Sequence, residues 1–179
     1  EIERFLKTYP NHERENYAYY ILAISYYDQI IDEKKDLAPL VNAKKNFEII
    51  LNKFPNSEFA FDAELKLEAI KEILASKEMY TARYYFEREK WVPAINRYKI
   101  ILTKYETTIY AAEALHRLVE IHYRIGLEDE AKKYAVLLGY NYQSSEWYEE
   151  TYKIFNRDYE KSSLRKKNKK KNSTLQKLK

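Results

Sequence analysis

Apolar residues recur along this chain at steps of three and four, broken by short polar stretches, which predicts a run of amphipathic helices. Ile2, Phe5 and Leu6 share a face over residues 2–9, and Pro10 ends that segment. A tyrosine-dense helix is expected from about Tyr17 to Ile31, followed by a charged loop from Asp32 to Pro39. Ala43, Phe47, Ile50 and Leu51 mark a helix over 42–53, stopped by Pro55. From Glu58 to Lys90 there is no Gly or Pro, so one long or gently kinked helix is expected there. Pro93 sits in the first turn of a helix over 92–104. Gly126 closes a helix over 109–125, Gly139 ends one over 128–138, and a last helix covers about 146–157. Asn56 or Ser57, Thr107 or Thr108, and Ser145 stand where N-caps are needed.

Two marks recur inside this pattern. Ala43-x3-Phe47 and Ala94-x3-Tyr98 each follow a helix with small and aromatic residues at matching offsets, among them Tyr19, Ala23 and Tyr26 before the first, and Ala82 and Tyr85 before the second. A small residue lets a facing helix approach, and an aromatic one turn later fills the groove beside it. This is the spacing of tetratricopeptide-like helix pairs, so the expected fold is an all-α helical-repeat solenoid. In a repeat of about 34 residues, the second-helix alanine falls about 12 residues after the small residue of the first. Ala23 then predicts position 35, whereas the match is Ala43, which reads as an eight-residue insertion ending near Pro39. Ala43 to Ala94 is 51 residues, 17 more than one repeat, about one extra helix. The second half of the 58–90 segment is therefore expected to serve as the first helix of the next repeat. Ala94 to Ala131, at 37 residues, is close to a normal repeat.

Composition sharpens this picture. Two Gly and four Pro in 179 residues favour long helices over a β-rich fold. Nineteen Tyr suit groove linings and interfaces, because the ring can be buried while the hydroxyl stays wet. The net charge of +4 conceals an asymmetry: residues 161–179 carry nine Lys or Arg and no acid, so residues 1–160 hold 23 basic and 28 acidic residues, a net of −5. The body is expected over 1–157, with its first repeat missing or partial, and residues 158–179 as a basic disordered tail. The acidic body offers no basic face for nucleic acid. The tail could adhere to RNA or anionic lipid, or simply be solvated.

Chemistry is sparse. There is no cysteine, hence no disulfide or thiolate metal site. His116 and His122 lie on different faces of one helix, and His12 lies in a turn. His122 occupies an aromatic position of its repeat and reads as a packed core residue. No metal-protease, phosphate-loop or nucleophile-elbow motif is present. The acidic residues are spaced like solvated helix faces. No catalytic residue, cofactor or metal is expected, and the chain reads as a non-enzymatic binding scaffold. No apolar run approaches the roughly 20 residues of a membrane span. The chain opens Glu1-Ile2-Glu3-Arg4, already in helical register and without Met, as a fragment or processed chain would.

Several longer stretches are more specific. They are Phe5-Leu6-Lys7-Thr8-Tyr9-Pro10-Asn11-His12, Tyr17-Ala18-Tyr19-Tyr20, Phe54-Pro55-Asn56-Ser57-Glu58, Ala82-Arg83-Tyr84-Tyr85-Phe86 through Trp91, Ala94-Ile95-Asn96-Arg97, and Leu138-Gly139-Tyr140-Asn141 with Ser145-Glu146-Trp147-Tyr148. Over about 1–157 they resemble the BamD family of outer-membrane β-barrel assembly lipoproteins, the last pair in its α-proteobacterial form. The insertion and the long helix also fit that family. The resemblance implies a scaffold on the periplasmic face of the outer membrane, attached only through an N-terminal lipid anchor. It implies as partners the periplasmic domains of the barrel-forming BamA, other assembly lipoproteins, and the C-terminal segments of unfolded outer-membrane proteins. Carried over by position, Tyr84, Arg88, Asn96 and Arg97 would face BamA, while Tyr85 matches the same stretch but takes the repeat's core position. Tyr17, Tyr19, Tyr20, Tyr26 and Tyr27 could line a groove for an extended substrate segment. A tetratricopeptide adaptor with other partners, or an RNA or lipid binder acting through the Lys-rich tail, are the alternatives.

Overall fold

One hydrogen-bonded turn recurs four times and divides the chain into repeats. Tyr9, Phe54, Tyr105 and Tyr142 each leave a helix with φ between −126° and −137°. Three residues on, the carbonyls of His12, Ser57, Thr108 and Ser145 accept the N–H of Glu15, Ala60, Ala111 and Tyr148, at 2.9–3.2 Å. An aromatic residue thus closes each outgoing helix, and a polar one starts the next. Between these turns lie the helices of a computed structural model that describes residues 1–29 and 37–156. They are α1 (Ile2–Thr8), α2 (Glu15–Tyr27), α3 (Ala38–Lys53), α4 (Ala60–Glu87), α5 (Trp91–Lys104), α6 (Tyr110–Arg124), α7 (Glu128–Asn141) and α8 (146–156). Among the described residues there is no strand. Helix α2 pairs with α3, α4 with α5 and α6 with α7, and each pair packs on the next. The fold is an all-α, tetratricopeptide-like solenoid.

The two sequence marks are the centres of the packing. Ala43, Phe47, Ala94 and Tyr98 are all fully buried. Ala43 and Phe47 join Ala23, Leu40, Ile50, Ala63, Leu67 and Ile70 in one core. Ala94 and Tyr98 join Met79, Ala82, Ile101, Ala114, Leu118 and Ile121 in another. A smaller cluster of Ala112, Leu115 and Leu138 receives Trp147 and Tyr148 from α8. His122 is a packed core residue: its Nδ1 lies 2.6 Å from the carbonyl oxygen of Leu118, and its ring lies against Tyr134.

Helix α4 links the first two cores without a break over its 28 residues. Its buried positions run Ala60, Ala63, Leu67, Ile70, and then Ala75, Met79, Ala82. Steps of three and four hold a stripe on one face, but Ile70 to Ala75 is a step of five. At 3.6 residues per turn the buried stripe swings by roughly 100° about the helix axis. The first half of α4 therefore completes one unit, and its second half opens the next, which is the extra helix that the 51-residue spacing required.

Several boundaries differ from expectation. Pro39 belongs to the first turn of α3, where its missing N–H costs nothing, so the charged loop ends before it. Residues 32–36 of the expected insertion, and the tail over 158–179, lie outside the described residues. Helix α2 starts at Glu15 and ends at Tyr27. Gly139 does not end α7, which continues to Asn141. Its value is closeness: a Cβ there would stand 3.0 Å from the ring of Tyr148. Gly126, at φ +83°, does make the turn after α6, and Glu89 takes the same left-handed position after α4 without being glycine. Of the expected caps only Ser145 serves, its Oγ accepting from the Tyr148 N–H at 3.2 Å. The Thr108 hydroxyl donates back to the Tyr105 carbonyl at 2.7 Å instead, and α4 and α6 have no side-chain cap.

Candidate partner-binding site

The five tyrosines of α2 do not line one groove. Tyr17, Tyr20 and Tyr27 fall on the stripe that meets α4. The Tyr20 ring stacks on Phe59 at 4.7 Å and Tyr17 lies 5.7 Å from the same ring. The Tyr20 hydroxyl donates to Asp62 at 2.8 Å, which raises its pKa, and Lys66 lies 4.9 Å over the Tyr27 ring. Tyr19 and Tyr26, seven residues apart and so on one face, point into a different cleft between α1, α2 and α3, of about 390 Å³. There Tyr19 approaches Phe54, and the Tyr26 hydroxyl donates to Glu3 at 2.7 Å. Only Tyr17 is more than half exposed. It also borders a small apolar hollow with Ile2, Phe5, Ala18 and Ile21. Two seams separated by the helix itself thus replace the single groove expected.

The residues expected to face BamA also divide. Tyr84 and Arg88, one turn apart at the end of α4, form a unit: the guanidinium lies 3.7 Å from the Tyr84 ring centroid, and its N–H donates to the Tyr84 carbonyl at 3.2 Å. Both are exposed. Tyr85 is half-buried against the second core, with its ring edge-on to Tyr84. Arg97 is half-exposed on α5, and its Nη1 donates to Glu78 of α4 at 3.0 Å. Glu78 lies six residues before Tyr84, about 9 Å along the helix. Asn96 is exposed beside it on α5.

Sequence reasoning missed the most organised polar surface. Glu113, Arg117, Glu120 and Arg124 form a stripe along α6. Arg83 of α4 grips the buried Glu113 with two N–H groups, Nε at 2.8 Å and Nη2, and this pairing raises the arginine's pKa. Arg117 reaches Glu120 at 2.8 Å, and Arg124 reaches the other Glu120 oxygen at 2.6 Å. The guanidinium of Arg117 lies between Phe86 at 4.9 Å and Trp147 at 5.4 Å, and that of Arg124 faces Phe86 and Trp91. His116 hydrogen-bonds through Nδ1 to Thr151 of α8 at 2.8 Å, and burial, then Arg117, pushes its pKa down. Reading the carboxylates as solvated faces fails at Glu113, and also at Glu15, buried against Lys53. The signal was the three- and four-residue spacing of alternating charge on α6.

Among the described residues, no group of three or more His, Asp or Glu could hold a metal ion, and no helix is long and apolar enough to cross a membrane. What decides the relationship is sequence similarity over nearly the whole solenoid. The family of YfiO, described as an outer membrane lipoprotein, matches residues 1–137. The chain belongs to this family. It is 40% identical over 153 residues to the outer membrane protein assembly factor BamD of Rickettsia prowazekii, covering 86% of this chain and 61% of that protein. It is 37% identical over 156 residues to BamD of Caulobacter vibrioides, covering 87% and 51%. BamD of Vibrio cholerae is 31% identical over 150 residues, covering 78% and 62%. The chain thus spans 51–62% of the length of these relatives. Family membership accords with the resemblance carried by the quoted stretches, and with its α-proteobacterial cast.

Proposed function

We propose that this solenoid is a non-enzymatic scaffold in outer-membrane protein assembly, working on the periplasmic face of the outer membrane. Its membership of a family described as outer membrane lipoproteins, with relatives named as assembly factors, carries this reading. In it, the end of α4 and the outer side of α5 dock the periplasmic domains of BamA through Tyr84, Arg88, Asn96 and Arg97. The tyrosine seams of α2 receive extended segments of unfolded outer-membrane proteins, and other assembly lipoproteins bind elsewhere on the solenoid. The membrane attachment is a lipid anchor at the N-terminus of the full protein. The exposed Tyr84–Arg88 pair supports the docking role, because a guanidinium held on a ring is pre-ordered to meet a carboxylate or a peptide carbonyl.

The test uses the BamA of the same organism and three variants. Arg97→Glu is expected to reduce co-purification at least about tenfold, as loss of a charge-assisted contact plus new repulsion would. Glu78→Gln keeps the arginine and removes its internal partner, and should retain binding. Arg88→Ala should weaken binding less than Arg97→Glu. Full retention by Arg97→Glu, at unchanged helicity, removes Arg97 from the interface. Equal loss in Glu78→Gln means that the ion pair only braces α4 against α5.

A further inference from the structure

Phe61 and Leu65 lie bare on a side of α4 that is covered further along. Phe61, Leu65, Glu72, Met79, Arg83 and Phe86 follow one another at steps of three, four or seven, and so share one side of the helix. Helix α6 covers the far half of that side. Glu72 accepts the Ile109 N–H at 3.3 Å, Met79 shares a core with Ala114 and Leu118, Arg83 grips Glu113, and Phe86 lies under Arg117. Phe61 and Leu65 precede the point where α6 begins, and are 71% and 53% exposed. The repeats show what such a position ordinarily meets. Leu65 stands eight residues after Ser57, as Tyr20 stands eight after His12 and His116 eight after Thr108. Tyr20 packs on the start of α4, and His116 packs on α8. Leu65 is left exposed because α4 runs on instead of turning back.

Charge says what the open seat can take. Residues 58–72 carry five acids against Lys66 and Lys71, a net of −3. The α2 rings beside them, Tyr17, Tyr20 and Tyr27, are uncharged, and residues 107–112 at the start of α6 add no charge. Lys71 is held by Glu68, whereas the exposed Glu58 and Glu64 have no ion pair among the described residues. Tyr80 with Tyr84, and Val136 with Tyr140, are also exposed apolar pairs one turn apart, but residues 77–90 total +1 and residues 128–141 only −1. We infer that the seat is taken by the chain's own basic segment, residues 161–179, with Leu175 and Leu178 against Phe61 and Leu65 and neighbouring lysines on Glu58 and Glu64. That segment has nine Lys or Arg and no acid. Leu175 is 19 residues beyond Asn156, a reach of up to roughly 63 Å, whereas the whole of α4, at 28 residues, is roughly 42 Å long. A tethered segment within reach also binds at a far higher effective concentration than a free one.

The chain has no cysteine, so Ser173→Cys gives a single attachment point for a nitroxide spin label. In amide NMR spectra of the full chain, the label should broaden residues 58–68 more than any other stretch of residues 1–156. The broadening should fade as salt rises. Glu64→Lys combined with Leu65→Ser changes two exposed side chains, and should cut the broadening at least about threefold. Glu128→Lys combined with Val136→Ser makes the same kind of change on α7, and should leave it as it was. The other amide positions in the same spectra report whether each variant is folded. Broadening spread evenly over the acidic faces, or strongest over 128–141 or 146–156, overturns the proposal. So does broadening of 58–68 that survives Glu64→Lys with Leu65→Ser. A mixture of spin-labelled chain and isotope-labelled chain tests the source: equal broadening there assigns the segment to a second copy and also overturns it.

Discussion

The seam between α2 and α4 and the seam between α4 and α6 join equivalent helices of successive repeats, yet different forces close them. The first is a layer of rings, with Tyr17 and Tyr20 on Phe59 at the start of α4 and one hydroxyl on Asp62, backed by Phe47 of α3, which Tyr20 and Tyr27 also touch. The second is an ion belt laid on aromatic faces, with Arg83 on Glu113 and Arg117 and Arg124 on Glu120. Ring contacts are tolerant of angle and nearly blind to salt. Bidentate arginine pairs demand one geometry and respond to salt and pH. The repeat therefore dictates where its helices meet but leaves the chemistry of the meeting open. That freedom lets one scaffold carry two surfaces with different tastes.

The largest break in this comparison is expected in the first core. Phe47→Ala removes a fully buried ring that touches Tyr20 and Tyr27, and should cost about 3–5 kcal/mol in urea denaturation, with little change at 1 M salt. In the second seam, Arg83→Ala leaves the buried Glu113 with only the distant Arg117 Nε, at 3.7 Å. Stranding a fully buried carboxylate costs about 3–5 kcal/mol, and the half-exposure of Arg83 reduces this to about 2 kcal/mol. The same denaturation series should show this loss shrinking as salt rises. A salt-independent loss would place the packing of the arginine stem above its charge.

The smallest effect is that of pH on the docking of α8. The folded pKa of His116 is lowered from 6.5, so between its folded value and 6.5 the unfolded chain binds more protons. Its contribution to stability is present above about pH 6.5 and is lost as pH falls through that window. The groups facing it are Arg117, Glu113 and Glu120 on α6 and Glu150 and Thr151 on α8. His116→Gln can keep a hydrogen bond to Thr151 without titrating. The melting temperature of that variant should fall less than the parent's between pH 7 and 5. Parallel curves would assign the pH response to the carboxylates.

Much of the fold could be read from residue spacing. Ala43, Phe47, Ala94 and Tyr98 announce close packing because small and large residues must alternate where helices touch, and the 58–90 stretch lacks anything that breaks a helix. Helix ends were harder. Gly139 looks like a stop, but it makes room for a ring from α8, a contact that local sequence does not encode. The tyrosines misled for a physical reason: an amphipathic ring suits a core edge and a cleft equally, so abundance could not say which face each took. Their spacing could have, since 17, 20 and 27 trace one stripe and 19 and 26 another. Arg83 and Glu113 are 30 residues apart, and only the repeat geometry brings them together.

The five-residue step in α4 has a consequence for how members of such a family can diverge. Because the helix is unbroken from Ala60 to Glu87, it acts as a shaft whose length sets the phase between what is mounted at its two ends. Inserting or deleting one residue among 71–74 would advance the far end by only about 1.5 Å but would turn it by about 100°. Substitutions can retune either surface by itself. A change of length in that short span would re-aim both against each other at once, so the span should tolerate altered residues far better than altered numbers of them.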